Sequence, residues 1–244
     1  MDISIFLICY NESVLLPHVI KHYKKYIPSC DITIYDNEST DNSVEIAKNL
    51  GCKIISWSSN NSMDEFKYKN IKNTCWKNIK SGWIIMADMD EFLCITEKEL
   101  KEERANGTTI LNVKGLNMIG QSQTNDLNDI DLQEIVKYLE HPPESKKLCF
   151  LREAISEMNY DFGAHNCRPL GNVKYSNKTY INKHMCYLGL NFYINKMVNR
   201  YQRSQKMRQQ GLDLHYINNI NKITDDYNYQ LKNCSLLNKI IKPY

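Results

Sequence analysis

The sequence predicts an α/β fold with a doubly wound, mostly parallel sheet and an appended C-terminal helical portion. Short uncharged runs alternate with amphipathic helical patterns over residues 3–88, and polar residues follow three of these runs. Continuous apolar runs are typical of strands that are covered on both faces. Strand–helix alternation of this kind implies parallel strands joined by right-handed crossovers.

The elements of this first part follow one another without a long gap. The predicted strands are "ISIFLICY" (3–10), "DITIYD" (31–36), "CKIISW" (52–57) and "WIIMA" (83–87). The predicted helices cover residues 12–27, 44–50 and 64–80. Asn11 is the expected N-cap of the first helix, Ser43 or Asp41 caps the second, and Gly51 ends it. Pro17 fits only the first turn of its helix or a kink.

The alternation loosens after residue 95. The sequence there predicts a polar helix over 97–107, a strand over 108–115, a loop over 120–131, a helix over 132–140, short strands over 146–190 and a helix over 191–210. We expect one domain over residues 1–210, with a nucleotide-binding half (1–95) and an acceptor-side half (96–210). Residues 211–244 are expected to form a C-terminal helical extension or a tail.

Composition narrows the class of protein. The chain has 244 residues, of which 42% are hydrophobic, so it can bury a large core. Its 31 basic and 28 acidic residues are nearly balanced, whereas a nucleic-acid binder of this size usually carries a clustered basic excess. The nine cysteines form no C-x-x-C pair, which favours reduced thiols. No stretch fits a signal peptide or a membrane span, so the expected location is the cytoplasm.

Polar side chains cluster at the ends of three predicted strands, at residues 10–12, 36–41 and 88–91. Ligands of open parallel sheets bind beyond the carboxyl ends of the strands, although turns also favour Asp, Asn and Ser. The third cluster is more specific, because Asp88 and Asp90 project to the same side of an extended chain. Two such carboxylates repel each other unless a cation lies beside them. Mg²⁺ and Mn²⁺ suit oxygen ligands of this kind and complete their shells with substrate phosphates.

The motifs together give the sequence a family resemblance. "ICYNES", "ITIYDNESTDNSVEIAKNLG" and "GWIIMADMDEFL" resemble the GT-A nucleotide-sugar glycosyltransferases, most of all the family 2-like and family 92-like members. The similarity covers residues 3–95, with a looser similarity over 146–205. It implies a Rossmann-like GT-A fold, a UDP-sugar donor and a Mn²⁺ (or Mg²⁺) cofactor.

The resemblance also implies roles for individual residues. The metal ligands that it implies are Asp88, Asp90 and His184. The residues that it implies around the nucleotide are Cys9, Tyr10, Asn11, Glu12, Asp36, Asn37, Ser39, Asp88 and Met89, with Asp41 shaping the same loop. Lys183, Lys196 and Arg200 are basic groups that could assist the leaving diphosphate.

Sugar transfer to an acceptor hydroxyl needs a general base, and inversion is implied by the resemblance alone. Asp161 and His165 fall in the expected acceptor region, and Asp161 is the preferred base. Glu91 is expected to order its loop or to touch the sugar. The partners would be the nucleotide sugar and a glycan, protein or lipid-linked acceptor. The basic helix over 191–210 fits a solvated face better than a membrane-bound one, and some of its basic residues could face the diphosphate.

Two features of the sequence bear on other classes of protein: the loop after the first strand and the residue that follows His184. A nucleotidyltransferase or a Rossmann dehydrogenase would carry a glycine-rich loop there, but "CYNES" contains no glycine. A catalytically degenerate GT-A-like module that binds a sugar or a protein stays open. Met185 follows His184 where the resembling enzymes have Tyr, so the histidine motif is imperfect.

Overall fold

The predicted α/β fold is confirmed by the computed structural model, which describes residues 2–124, 127–128 and 130–237. The strands are β1 (Ile3–Cys9), β2 (Asp31–Asp36), β3 (Lys53–Ser56), β4 (Trp83–Asp88), β5 (Glu91–Cys94), β6 (Ile110–Ile119), β7 (Lys137–Glu140), β8 (Cys149–Leu151), β9 (Ile155–Glu157), β10 (Leu170–Gly171), β11 (Tyr175–Tyr187) and β12 (Ser235–Leu236). The helices are α1 (Leu16–Tyr26), α2 (Ser43–Asn49), α3 (Glu65–Thr74), α4 (Glu97–Ala105), α5 (Leu190–Arg203), α6 (Gln205–Gln209) and α7 (Ile220–Asn233).

The first four strands form the parallel part of the sheet, in the order β3-β2-β1-β4. The chain steps outward from β1 to β3 and then returns to the other side of β1, so the strand order reverses there. The registers pair Cys9 with Asp36 on one side, and Ile8 with Asp88 on the other. The polar residues that end these three strands therefore lie side by side at one edge of the sheet.

Helix α1 shows how this part of the chain is held together. Its buried residues include Val19, Ile20 and Tyr23, which recur at helical spacing and pack on the sheet core. Full burial of an aliphatic side chain of this size contributes about 1.5–3 kcal/mol. Pro17 lies in the first turn, as predicted, where its missing N–H costs no hydrogen bond.

The second half of the chain extends the sheet with mixed pairing. The long strand β11 runs parallel to β6 and antiparallel to β5. Its register places His184 opposite Glu91 of β5 and opposite Asn117 of β6. This pairing carries His184 to the turn between β4 and β5, which contains Asp90.

Three predictions of local structure are wrong. Neither Ser43 nor Asp41 is the N-cap of α2, because Asn42 holds that position and makes no side-chain capping hydrogen bond. The helix expected over 132–140 is a 3₁₀ turn at Leu132–Glu134 followed by β7, because β6 and β12 supply hydrogen-bonding partners on both edges of this strand. Asn11 does not cap α1, which begins after Leu15. The Asn11 backbone has a φ of 51°, and its side-chain oxygen accepts the Thr40 N–H at 2.7 Å instead.

Other boundaries differ more modestly. Helix α3 ends at Thr74, and the helix expected over 191–210 is interrupted at Ser204, between α5 and α6. The C-terminal residues form α7 and β12, while residues 238–244 lie outside the described range. The division into a domain over 1–210 and an extension stays a prediction. Within the described ranges, no helix combines the length and the hydropathy that a membrane crossing requires.

Candidate functional site

A cleft of ≈ 920 Å³ lies at the carboxyl edge of the parallel strands. Its walls are formed by the ends of β1 and β4, the first turns of α3, the end of β11 and one face of α5. This volume is within the range of roughly 300–1,000 Å³ that small-molecule sites occupy. The cleft lies where the strand order reverses, which is the ligand position of open α/β sheets.

Asp90 is the point at which positive charge converges in this cleft. Its Oδ2 contacts Lys196 Nζ and lies 3.3 Å from His184 Nε2 and 3.5 Å from Arg200 Nη2. Burial acts to raise the pKa of Asp90, but Lys196, His184 and Arg200 together hold it well below its usual value. Asp90 is therefore ionised although only 3% of it is exposed.

The His184 ring is oriented by a hydrogen bond on its far side. Its Nδ1 lies 2.7 Å from Oδ1 of Asn117, the residue that the β6–β11 register places opposite it. An amide oxygen only accepts, so Nδ1–H donates and Nε2 faces Asp90. In a neutral imidazole Nε2 carries a lone pair, which repels the Asp90 carboxylate unless a proton or a metal ion lies between them.

Asp88 lies in a second charge network, whose other members are buried while the Asp88 side chain is 31% exposed. Lys72 Nζ is 2.7 Å from its Oδ1, and Lys146 Nζ is 3.0 Å from its Oδ2. Lys146 also lies 2.8 Å from Glu91 Oε1 and 3.0 Å from Glu144 Oε2. One buried ammonium is thus shared by three carboxylates, of which Glu91 also accepts the Asp88 backbone N–H at 2.7 Å.

The pKa values in this network move in opposite directions. Burial raises the pKa of Glu91, and the neighbouring charges of Asp88 and Glu144 add to the effect while Lys146 opposes it. Burial also acts to raise the pKa of Asp88, but Lys72 and Lys146 outweigh it and the pKa is lowered. Glu91 is therefore the carboxyl group of this network that holds a proton most readily.

The predicted metal ligands are partly brought together. Among the described residues, no group of three or more His, Cys, Asp or Glu side chains is arranged to hold a metal ion. Asp90 and His184 nevertheless converge, and His184 donates its second ring nitrogen as metal-bound histidines usually do. Magnesium-like ions often take only one or two protein ligands and complete their shells with phosphate and water. The pair Asp90–His184 fits such an ion, and the role of Asp88 as a ligand stays a prediction.

The predicted nucleotide residues fall into two layers. The residues that line the cleft directly are Cys9, Tyr10, Asn11, Glu12, Asp88 and Met89. Asp36, Asn37 and Ser39 lie behind them: Ser39 Oγ accepts the Asn11 N–H at 2.9 Å, and Asp36 Oδ2 accepts the Ser39 N–H at 3.1 Å. Asp36 is 3% exposed, and its Oδ1 has no hydrogen-bond donor among the described residues. A buried carboxylate oxygen in this state is costly unless a ligand supplies a donor.

Tyr10 and Arg203 close one end of the cleft. The Arg203 guanidinium lies 3.2 Å from the centroid of the Tyr10 ring, and the Tyr10 hydroxyl donates to Asn61 Oδ1 at 2.7 Å. Cation–π contacts of this kind contribute about 0.5–2 kcal/mol. The flat surface they form suits a planar ring system.

The predicted catalytic residues are separated. His165 lines the cleft, with its Nδ1 2.9 Å from the Pro143 carbonyl oxygen. The Asp161 side chain is 51% exposed, lies 3.9 Å from Lys69 and is not part of the cleft wall. Glu91 is 1% exposed and lies beneath the cleft. Their catalytic roles stay predictions.

Sequence reasoning missed the lysines that neutralise Asp88. Lys72 and Lys146 are 5% and 4% exposed, and a buried lysine nearly always has a carboxylate partner. Lys72 lies on the sheet-facing side of α3, a position that could have signalled a buried charge. Lys146 has no such signal. Lys196 and Arg200 reach the cleft as anticipated, whereas Lys183 donates to the Gln133 carbonyl oxygen at 3.4 Å.

The fold and the cleft define an α/β protein with a nucleotide-sized site at its switch point, and the family comparison agrees. Residues 4–93 match the family described as "Glycosyl transferase family 2". This range contains β2, β3 and β4, all of β1 except Ile3, and both Asp88 and Asp90. The predicted resemblance to family 2-like glycosyltransferases is therefore confirmed for this part of the chain.

Curated relatives agree over short ranges. Protein RfbJ of Shigella flexneri is 34% identical over 55 residues, which are 22% of this chain and 43% of that protein. An uncharacterized glycosyltransferase of Rickettsia prowazekii (strain Madrid E) is 32% identical over 103 residues, which are 41% of this chain and 31% of that protein. The aligned part of the chain thus spans less than half the length of these relatives.

Two solved structures to which the chain is similar have low sequence identity and TM-scores below 0.5. A UDP complex of residues 1–349 of S. aureus TarS has a TM-score of 0.45 at 13% identity, and covers 93% of this chain and 70% of that one. Glucosyl-3-phosphoglycerate synthase from Mycobacterium tuberculosis, in complex with Mn²⁺, UDP and glucosyl-3-phosphoglycerate, has a TM-score of 0.32 at 15% identity. It covers 47% of this chain and 44% of that one.

Proposed function

We propose that this chain is a divalent-metal-dependent glycosyltransferase that moves a sugar from a UDP-sugar to an acceptor hydroxyl with inversion. The observation that carries the proposal is the convergence of His184, Lys196 and Arg200 on Asp90 inside the switch-point cleft. In a chain whose residues 4–93 match a glycosyltransferase family, this arrangement is suited to a diphosphate.

The leaving group in this reaction is a nucleoside diphosphate, which develops negative charge as the glycosidic bond breaks. Lys196 and Arg200 already lie at the cleft wall with their charges directed at Asp90. A divalent ion held by Asp90 and His184 would neutralise the charge on the diphosphate. The basic side chains would then be released from Asp90 to hold the phosphate oxygens.

The nucleoside would occupy the end of the cleft that Tyr10 and Arg203 close. Tyr10 offers a planar surface on which a base can stack, and the loop held by Asp36, Asn37 and Ser39 forms its floor. Asp36 lies behind this floor with no donor to its Oδ1 among the described residues, so uracil N3–H or a ribose hydroxyl would donate to it only after the floor residues move aside.

The decisive experiment is thermal unfolding with Mn²⁺ and UDP, ADP or GDP, each compared with the same sample without nucleotide. At about 100 times its dissociation constant, a ligand stabilises the folded state by roughly 2.7 kcal/mol. We expect a Mn²⁺-dependent shift with UDP, a smaller one with ADP or GDP, and no shift for Asp90→Ala. Release of UDP from a panel of UDP-sugars then measures turnover.

The matched control is Asp225→Ala, which changes an exposed aspartate on α7 and should keep the full UDP shift. A wild-type protein that responds to none of the nucleotides would refute the transferase proposal and favour a GT-A-like binding module. A shift of equal size in Asp90→Ala would instead remove the metal from the proposal.

A further inference from the structure

Six carboxylates line the cleft in the described part of the chain, and they differ in how their charge is compensated. They are Glu12, Glu65, Asp88, Asp90, Glu144 and Asp226. Asp88, Asp90 and Glu144 form ion pairs with lysine or arginine. Asp226 Oδ2 accepts the hydroxyls of Tyr193 and Tyr187 at 2.5 and 3.2 Å. Among the described residues, neither Glu12 nor Glu65 has a basic side chain within salt-bridge distance.

The two remaining carboxylates serve different sides of the cleft. Glu12 follows β1 and is electrostatically coupled to Lys196, Asp90 and Arg200, on the side that we assign to the diphosphate. Glu65 is the first residue of α3, and its Oε2 accepts the Gly163 N–H at 3.2 Å. Gly163 belongs to the same short loop as His165. Glu65 therefore faces the side of the cleft on which the sequence predicts the acceptor, next to His165.

The loop that Glu65 contacts is docked on α3 along one stripe of the helix. Asn73 Oδ1 accepts the Tyr160 N–H at 2.8 Å, and its Nδ2 donates to the Tyr160 carbonyl oxygen at 3.1 Å. Lys69 lies 3.9 Å from Asp161. These contacts fix the loop backbone independently of Glu65, whose Oε1 accepts no hydrogen bond from the described residues. That oxygen is available to a ligand in the cleft.

We infer that Glu65 is the general base of the transfer reaction, a role that rests on the proposed function. Its carboxylate would take the proton from the acceptor hydroxyl while that oxygen forms a bond to C1 of the sugar. The bond between C1 and the β-phosphate oxygen breaks in the same step, and its electron pair leaves with UDP. The proton stays on Glu65 until it is lost to solvent, so charge and atoms balance without a further reactant.

The surroundings of Glu65 suit this task. Burial raises its pKa, the charge of Asp213 adds to the effect, and Lys72 opposes it. The other titratable groups that act on it or feel its charge are Asp88, Tyr68 and Tyr216. A carboxylate with a raised pKa is a stronger base when ionised, and a positioned base typically contributes 10²–10⁴-fold in rate.

The test compares Glu65→Gln with Glu65→Ala, using UDP release from the UDP-sugar that wild-type protein hydrolyses fastest, with water as the acceptor. Glutamine keeps an oxygen that can accept the Gly163 N–H but cannot take a proton. If Glu65 is the base, both variants lose at least about 100-fold in kcat, keep the UDP-induced thermal shift and lose the acidic limb of the wild-type pH profile. If Glu65 only holds the loop, Glu65→Gln retains wild-type turnover, and the inference is overturned.

Two further variants make the assignment specific. Asp161→Asn removes the rival carboxylate that the sequence predicts, and its loss should stay within about tenfold. A loss of about 100-fold in Asp161→Asn with near-normal Glu65→Gln would transfer the role to Asp161. Glu102→Gln, at a half-exposed position on α4, serves as the neutral control. Failure of wild-type protein to bind UDP or hydrolyse any UDP-sugar would count against the proposed function rather than against this assignment.

Discussion

The two halves of the molecule contribute differently to the charges in the cleft. The first half, which contains the family match over residues 4–93, contributes the carboxylates of Asp88 and Asp90. The second half contributes Lys146 and Lys196, which neutralise them together with Lys72 of the first half. It also adds the carboxylates of Glu144 and Asp226 to the lining. The acidic motif is a local pattern, whereas the pair Asp90–Lys196 joins positions 106 residues apart. The environment of a carboxylate motif is therefore decided by the part of the chain outside it.

The strongest test of this comparison is Lys146→Met. This variant removes the ammonium group that Asp88, Glu91 and Glu144 share. Asp88, Glu91 and Glu144 would be left with too little positive charge in a buried place. Breaking a buried ion pair from one side typically costs about 3–5 kcal/mol. We expect a decrease of that size in the free energy of unfolding, measured by urea denaturation. Lys114→Met, whose partner Glu140 is 58% exposed, should cost less than about 1 kcal/mol; equal losses would contradict the role of Lys146.

Asp226→Ala tests whether α7 folds and unfolds together with the elements that form the cleft. Asp226 Oδ2 accepts the hydroxyls of Tyr193 on α5 and Tyr187 on β11. Its removal leaves the two tyrosine hydroxyls with only their long mutual contact of 3.5 Å, at a cost of about 2 kcal/mol. Hydrogen exchange should then show faster opening of α7. The neighbouring variant Asp225→Ala should leave stability unchanged, and identical behaviour of the two variants would argue against docking of α7 through Asp226.

Lys196→Met tests two roles of Lys196: its ion pair with Asp90 in the absence of a ligand, and its contact with the phosphates when UDP is bound. Lys196 contacts the same oxygen of Asp90 that faces His184, so it competes with a metal ion for that carboxylate. Without nucleotide, Mn²⁺ should bind the variant about tenfold more tightly, which is about 1.4 kcal/mol. In the presence of Mn²⁺, UDP should bind more weakly, because a phosphate contact is lost.

Electron paramagnetic resonance of free Mn²⁺ measures the first effect, and isothermal calorimetry the second. Lys206→Met, at an exposed position on α6, is the matched control and should change neither affinity. Weaker Mn²⁺ binding in Lys196→Met would show that Lys196 supports the metal site rather than competing for it.

The smallest expected effect is a pH-dependent gain from Glu12→Gln. Burial raises the pKa of Glu12 from 4.5 to about 7, with Asp90 adding to the effect and Lys196 opposing it. Between these pH values the unfolded chain releases a proton that the folded protein keeps, so stability falls as the pH rises toward 7. Full expression of this shift would be worth about 3 kcal/mol at pH 8. Glu12 is only partly buried, so solvent screening lowers the expected gain of the variant to about 1 kcal/mol. Urea denaturation at pH 4 and pH 8 checks this, and a gain of equal size at pH 4 would contradict it.

The parallel half of the fold could be predicted from the sequence because its signals are local. Strands covered on both faces are continuous apolar runs, and four such runs over residues 3–88 leave few alternative topologies. The strand-end clusters followed from the same rule, since parallel strands present their carboxyl ends at one edge. The helix expected over 132–140 failed because the hydrogen-bonding partners of β7 lie on β6 and β12, which no local pattern reveals.

The candidate site also has features that the sequence predicts and features that only the tertiary structure shows. The sequence by itself indicated that Asp88 and Asp90 lie at the edge of the cleft, because the register of β4 brings Asp88 there and Asp90 follows in the next turn. It did not show that the two carboxylates face different partners, because Asp90 is not part of an extended strand. Only the tertiary structure decided which cation meets each of them and left Glu65 without one. Those partners come from α3, β11, α5 and the segment before β8. Contacts between such distant segments depend on packing rather than on periodicity. The pKa and the ion-pair partners of a titratable group depend on such neighbours. Its role can therefore be inferred only from the folded structure.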